Sequence, residues 1–486
     1  MRPHWKLYLC AFVLASGLSV LPAAAQDLGP LVELSRPNAV GSCNTGFNAF
    51  GTFPTDDAIE PFVAVNPAHP NNFVATWMQG PAQDVIGAAS FDGGQSWQQV
   101  PLPLTVCTGG TYLGSGDPWL SFAPNGDLYA INLGLPKNSP TPRVVLVNKS
   151  SDGGLHWSAA AAIPGSDTLD APPDRTSITA DPTNAMLVYA IWDGFPSPHS
   201  GSGMFSRSIN GGLTWEPARA IVQTGSQRYV FASRILVLPN GTLVDLYDFQ
   251  VQQPNAPPTF TNVQVLRSTD QGQTWSAPIN AVTMTPLFLP KVGNDDLLLV
   301  DPDTGQVVRD ATNPQFGVDS KNGNLYAVWE DGRFSNFQYN EIAFSMSADG
   351  GFTWSAPIRV NQTPTNIPPL DRQAFFPSIA VAANGTMGVS YYDFRFNDPS
   401  AGLPTDRWLA QCSPSSNVPA ANPACWNNEV RLTDSSFNME AVVPYFFGIF
   451  LGDYFGLSAS GDGFVNTFTA VDSQSITSIF ARRVGP

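Results

Sequence analysis

Basic side chains are scarce in this sequence: 23 Lys and Arg stand against 39 Asp and Glu, with four His, for a net charge of −16. Nucleic-acid binding depends on clustered Lys and Arg that neutralise phosphates, so no nucleic-acid partner is expected, and no anionic membrane surface. Long apolar runs are missing too. Residues 7–21 are mostly apolar, but this falls short of the roughly 18 residues that a spanning helix needs, so membrane insertion is not expected. Beyond that stretch no helical periodicity of useful length occurs. Cysteine is sparse, with five in 486 residues, and no C-x-x-C or H-x-x-x-H spacing exists. Neither a metal site nor a cofactor is expected.

The apolar stretch has a different reading. Arg2 and Lys6 precede it, and Ala23, Ala24 and Ala25 follow as small residues at a cleavage site. Residues 1–25 therefore read as a secretory signal peptide, and residues 26–486 as a single domain, secreted or periplasmic and expected to be a monomer. Cys10 precedes the core of the apolar run and is badly placed for lipidation. Loss of the two basic residues in this segment leaves a net charge of −18, which favours solubility. Four cysteines remain, and four permit three pairings. Cys412 and Cys425 bracket a Pro/Ser/Asn-rich insert and are expected to pair, leaving Cys43 for Cys107.

What the sequence does have is internal repetition. The pattern Ser-x-Asp-x-Gly-x-Thr-Trp recurs at residues 90–97, 150–157, 208–215, 268–275 and 347–354. Asn210 replaces the Asp once, and Ser96 and His156 replace the Thr. The closing tryptophans are 60, 58, 60 and 79 residues apart. A carboxylate can accept the backbone N–H groups that a tight turn leaves unpaired, and glycine supplies positive φ at little cost.

Before each turn lie two alternating apolar runs around an Asn-Gly, Asp-Pro or similar turn, as in 118–133 (PWLSFAPNGDLYAINL) and 377–394 (PSIAVAANGTMGVSYYDF). That is a β-hairpin signature. Each unit thus reads as four antiparallel strands, the patterned turn joining the third to the fourth. Four-stranded antiparallel blades around an axis make an all-β propeller. A sixth unit carries the Cys412–Cys425 segment in place of the turn. A seventh begins at 452–461 and needs residues 31–36 as its fourth strand. Seven blades, with the ring closed by the N-terminal strand, are expected; six is the count if the terminal segments are accessory.

These turns resemble the Asp boxes of BNR-repeat proteins in the sialidase-like superfamily, and the resemblance spans nearly all of residues 26–486. It implies a propeller acting on an extracellular carbohydrate as a glycoside hydrolase, with a non-catalytic propeller binding glycan or protein as the alternative. The turns themselves should be structural, because they lie opposite the face where such propellers bind substrate.

The functional face is therefore sought where first strands start and second strands end. Superposing the units places Glu60, Asp117, Arg175, Ala232, Asn313, Phe376 and Gly452 at one equivalent position, with Asp174, Arg234, Asp371, Arg372 and Asp453 close by. Asp193, Asp248, Glu330, Asp331, Arg333, Asp393 and Arg395 lie at second-strand ends. A glycosidase needs a carboxylic acid and a second group acting as base or nucleophile. The resemblance implies Asp174 and Asp393 as acid/base groups and Tyr392 as nucleophile. It implies Arg175, Arg333 and Arg395 as a cluster on a substrate carboxylate, a task suited to the guanidinium fork. Glu60, Asp117, Arg372 and Asp453 are further candidates for substrate binding. The Arg-Ile-Pro element that sialidases place before the first box is missing. Asp331-x-Arg333 and Asp393-x-Arg395 also read as plain ion pairs that shape loops.

Overall fold

The computed structural model describes residues 27–485, except 44, 46–53, 81–82, 137–142, 168–170, 198, 253–259, 288–298, 310–312, 399–401, 443 and 445–447. The expected signal peptide lies outside the described residues. Among those described, regular structure is almost wholly β, with four short 3₁₀ turns and no helix long and apolar enough to cross a membrane.

One strand order recurs. Ala58–Val65, Phe73–Gln79, Asp84–Ser90 and Gln98–Pro101 pair in sequence order, each antiparallel to the next. The same order starts again at leading strands Gly114–Phe122, Pro173–Ala180, Arg228–Val237, Gln315–Val318 and Ala374–Val381. A single parallel pair, Ser200 with Arg228, joins two of these sets into one eight-stranded sheet. The last set runs Gly456–Ser460, Gly463–Val471 and Thr477–Val484, and its fourth strand is Val32–Glu33 from the other end of the chain. Val32 pairs with Ala481 and Glu33 with Phe480.

Leading strands also bind one another across sheets. Thr176 Oγ1 donates to Asp117 O, Ser177 Oγ to Ser233 O, Ser378 Oγ to Phe455 O, and Ser458 Oγ to Val63 O. Hydrophobic burial fills the spaces between: Trp77, Trp192 and Trp329 on second strands are almost completely buried, as inter-sheet packing requires.

Each Asp box builds as its residues dictate. Asp92 Oδ1 accepts the N–H groups of Gln95 and Ser96, Oδ2 accepts the Ser96 hydroxyl at 2.5 Å, and Ser90 Oγ accepts Gly94 N–H. The Ser96 hydroxyl bond, with the Ser96 N–H, pulls the Asp92 carboxyl down to about 2. In the third copy the Asn210 amide does the same work, donating to Thr214 Oγ1 and accepting Thr214 N–H. The boxes sit beside the turns between first and second strands: Gly93 N–H donates to Asn71 O and Gly211 N–H to Met186 O.

Both expected disulfides form, Cys43–Cys107 and Cys412–Cys425. They close loops of 64 and 13 residues. By chain entropy they contribute roughly 4 and 3 kcal/mol.

Candidate functional site

Leading strands do not run straight. Five of them pair regularly with their second strands near the box end, then slip register, between Ile59 and Phe62, Gly116 and Trp119, Asp174 and Ser177, Phe231 and Arg234, and Phe375 and Ser378. Within every slip one residue is left-handed: Glu60, Asp117, Arg175, Ala232 and Phe376 have φ of 55, 52, 45, 54 and 51°. Gly452, at 126°, also lies at positive φ. These are six of the seven positions made equivalent by superposing the repeats, all but Asn313. A bulge re-aims the side chain beside it, and a non-glycine residue at positive φ costs on the order of 1–3 kcal/mol, so neighbours must hold it there.

Carboxylates of the adjoining sheet supply that hold. Asp117 Oδ2 accepts Arg175 N–H at 2.8 Å, Asp193 Oδ2 accepts Ala232 N–H at 3.2 Å, and Glu330 Oε1 accepts Phe376 N–H at 2.8 Å. Glu60 Oε1 accepts Asp453 N–H at 3.3 Å. The acidic residues at this end thus have a structural duty before any other.

They also surround a row of arginines. Arg143 Nη1 lies 2.6 Å from Asp174 Oδ1, and Arg175 Nη1 lies 3.8 Å from Asp174 Oδ2 and 3.8 Å from Asp193 Oδ2. Asp453 Oδ2 lies 3.8 Å from Arg175 Nε and 3.9 Å from Arg309 Nη2. Three guanidiniums and two carboxylates therefore alternate, Arg143–Asp174–Arg175–Asp453–Arg309. Arg175 stacks on Phe231 and Arg309 on Phe450.

Protonation differs sharply within this cluster. Burial, with Asp174 next in effect, pushes the Asp117 carboxyl up to about 7. Asp174 goes the other way: burial alone would raise it, but Arg143, Arg175 and Arg309 hold it below its ordinary value. Burial raises Glu60 and Asp193 well above the carboxylate range. Tyr454, buried against Glu60 and Asp117, is held in its neutral form. A carboxyl raised toward neutral pH beside one held below its ordinary value is an arrangement suited to proton transfer.

Glu60, Asp117, Asp174, Arg175 and Asp453 thus come together. Other candidates are placed elsewhere. Arg333 binds Asp331 through Nε at 2.7 Å and Nη2 at 2.9 Å, and also donates to Thr283 O. Arg395 is held by Asp393 and Glu429, each at 2.7 Å, and stacks on Trp408. The contacts of Arg175, Arg333 and Arg395 share no residue, so the convergence expected of these three does not appear in them. Asp331 and Asp393 are equivalents: Thr285 donates to the first and Thr363 to the second from the strand end of the preceding sheet. Asp393 is pushed up to about 6 by burial. Tyr392 is buried among Phe375, Phe376, Phe437 and Phe455, with its hydroxyl donating to Thr469 O, a position that gives a nucleophile no access. Arg372 donates to Ile367 O and Tyr339 Oη from the 3₁₀ turn Pro369–Arg372.

Sequence reasoning missed Arg143, Arg309 and Tyr454. Tyr454 follows Asp453 directly and carried a signal by position. Arg309 lies in the stretch that widens one tryptophan spacing to 79 residues.

A groove of about 580 Å³ among Asn66, His69, Phe91 and Asp152 lies at the Asp-box end, apart from this cluster.

Residues 266–277 match the BNR/Asp-box repeat. The chain carries Asp-box repeats, and the matched span contains the copy at 268–275. No curated protein sequence matches the chain. Among solved structures, a Hadza microbial sialidase is similar over 86% of this chain and 74% of its own, at 14% identity and a TM-score of 0.47. A Penicillium chrysogenum α-L-arabinanase complexed with arabinobiose is similar over 70% and 91%, at 15% identity and 0.46. A Dyadobacter fermentans protein of unknown function is similar over 88% and 94%, at 12% identity and 0.44.

Proposed function

We propose that this Asp-box protein is an extracellular, seven-bladed β-propeller, closed by its N-terminal strand, that acts as a glycoside hydrolase on a glycan. Glycan as substrate follows from the Asp-box resemblance. The observation that carries the chemistry is the Asp117–Asp174 pair, half-buried beside Arg175, with Asp117 raised to about 7 and Asp174 held below its ordinary value by the arginines. Asp117 donates a proton to the leaving oxygen, and Asp174, ionised beside it, stabilises the positive charge that develops on the sugar. Arg175 and the flanking Arg143 and Arg309 orient polar or anionic groups of the sugar. In this reading Asp393, Tyr392, Arg333 and Arg395 belong to the frame, and Arg372 to a loop of the same end.

A second reading, a propeller that binds glycan without cleaving it, is favoured by one feature. Asp174, Asp193 and Asp453 already surround Arg175, each at 3.8 Å. A fluorogenic glycoside panel that includes sialosides and uronides, together with intact polysaccharides, separates the two. Turnover lost in folded Asp174→Asn and Arg175→Ala supports the enzyme, and binding without turnover supports the second reading. If neither variant alters turnover or binding, the site lies elsewhere.

A further inference from the structure

Directly below Arg175, toward the Asp boxes, the leading strands line a partly open cavity of about 30 Å³. That exceeds the roughly 10–15 Å³ one water needs, so a water or a monatomic ion fits. Its wall includes Arg175, Ser233, Arg234, Tyr454 and Trp119. The polar atoms in this wall are largely unspent donors. Tyr454 is 6% exposed and its hydroxyl has no hydrogen-bond partner; Ser233 is 2% exposed and its hydroxyl has none. Arg175 Nε is buried without one too, since Asp453 Oδ2 at 3.8 Å is beyond hydrogen-bond reach.

Arg234 decides the sign of the occupant. Its guanidinium donates to Phe316 O at 2.8 Å and lies over the Trp119 ring, and among the described residues it has no carboxylate partner. Burial, with nothing opposing it, pushes Arg234 down to about 10. A half-buried charge without a carboxylate partner is stabilised by a counter-ion. Arg407, fully buried and also without a carboxylate, differs in kind: it donates to Phe376 O, Ser378 Oγ and Ser390 Oγ and is covered by Tyr392 and Phe455. Arg234 has one protein hydrogen bond and borders open space on two sides. Its other side is a cavity of about 370 Å³ that runs past Phe122, Ile178 and Val237 to Pro67 and Pro182. Four acidic groups act on Tyr454: burial draws Glu60 and Asp117 toward their neutral forms, and arginines face the other two, Arg143 and Arg175 on Asp174 and Arg175 and Arg309 on Asp453.

We propose that this cavity binds one monatomic anion of the halide class, held by Arg234 with Ser233, Tyr454 and the Nε–H of Arg175. The anion supplies the missing counter-charge for Arg234 and fixes Arg175 from below, so it organises the arginine row above. The site does not depend on the glycosidase reading, because its readout is halide binding.

Crystals of the protein soaked in sodium bromide test it directly. The expected result is an anomalous bromide peak within hydrogen-bond reach of Arg234, Ser233 and Tyr454. In solution, bromide or chloride should raise Tm saturably by a few degrees over gluconate at matched ionic strength. Arg234→Gln, which keeps a donor for Phe316 O, should lose that rise; if it does not fold, the wild-type measurements decide. Density for a neutral water without an anomalous peak overturns the proposal. So does a Tm that follows ionic strength alone. A peak without a saturable Tm rise marks an adventitious ion only and overturns it equally.

Discussion

Asp117 accepts the backbone N–H of Arg175, a residue held at φ 45°, while its carboxyl group is raised to about 7 by burial and by the neighbouring Asp174. One side chain therefore props the strained backbone of the next sheet and carries the proton of the carboxyl pair. The two duties separate by substitution. Asp117→Asn keeps an oxygen for Arg175 N–H and should leave the fold intact while lowering turnover by 10²-fold or more, an order-of-magnitude expectation for loss of a general acid. Asp117→Ala removes the acceptor as well and should cost about 1–3 kcal/mol. Denaturation curves beside single-turnover rates on both variants check the split; equal activity in Asp117→Asn and wild type removes Asp117 from catalysis.

Asp248 makes stability depend on pH. Burial pushes its carboxyl up to about 7, with one hydrogen bond from Gln250 opposing. Between the ordinary aspartate pKa and that value the folded chain holds a proton the unfolded chain has lost, so this group's contribution to stability falls as pH rises through the window and is level above it. Asp248→Asn, which keeps the shape without the charge, should be the more stable protein at about pH 8, by up to a few kcal/mol, and equal to wild type near pH 4. Urea midpoints at both pH values provide the measurement.

Arg395 sits in a buried network with Asp393 and Glu429 and is 7% exposed in its side chain. Arg395→Gln strands two carboxylates and should destabilise by about 3–5 kcal/mol. Where the variant remains folded, glycan binding at the arginine row should be unchanged. A selective loss of binding, with Tm preserved, would return Arg395 to the substrate site.

Asp92→Ala removes the acceptor for Gln95, Ser96 and the Ser96 hydroxyl. Tm should fall by a few degrees with kcat/KM unchanged, because the turn lies at the end away from Arg175. Scanning calorimetry and a steady-state assay on the same preparation test both halves.

The repeat period carried most of what the sequence disclosed. It made Glu60, Asp117, Arg175, Ala232 and Phe376 equivalent, and the structure gives all five one backbone conformation. Asp174 and Asp453 followed from adjacency. Arg143 and Arg309 were hidden because they come from connections, the first just before strand Val144–Ser150 and the second after the short strand Val307–Val308, where no period operates. Arg333 and Arg395 were over-read for a different reason. An Asp-x-Arg at a strand end reads alike whether the guanidinium turns back to its own aspartate or reaches for a ligand; rotamers decide, and sequence does not show them.

Pairing of Val32–Glu33 with Thr477–Val484 sets an order of events for folding. Val32–Glu33, the first strand among the described residues, finds its hydrogen-bonding neighbour only after more than four hundred further residues exist. Until then the last sheet lacks an edge and its neighbours expose apolar surface, so partial chains are the aggregation-prone species. Completion by a distant partner also makes the assembly resist opening from either terminus, since unravelling one end must break a ladder anchored by the other.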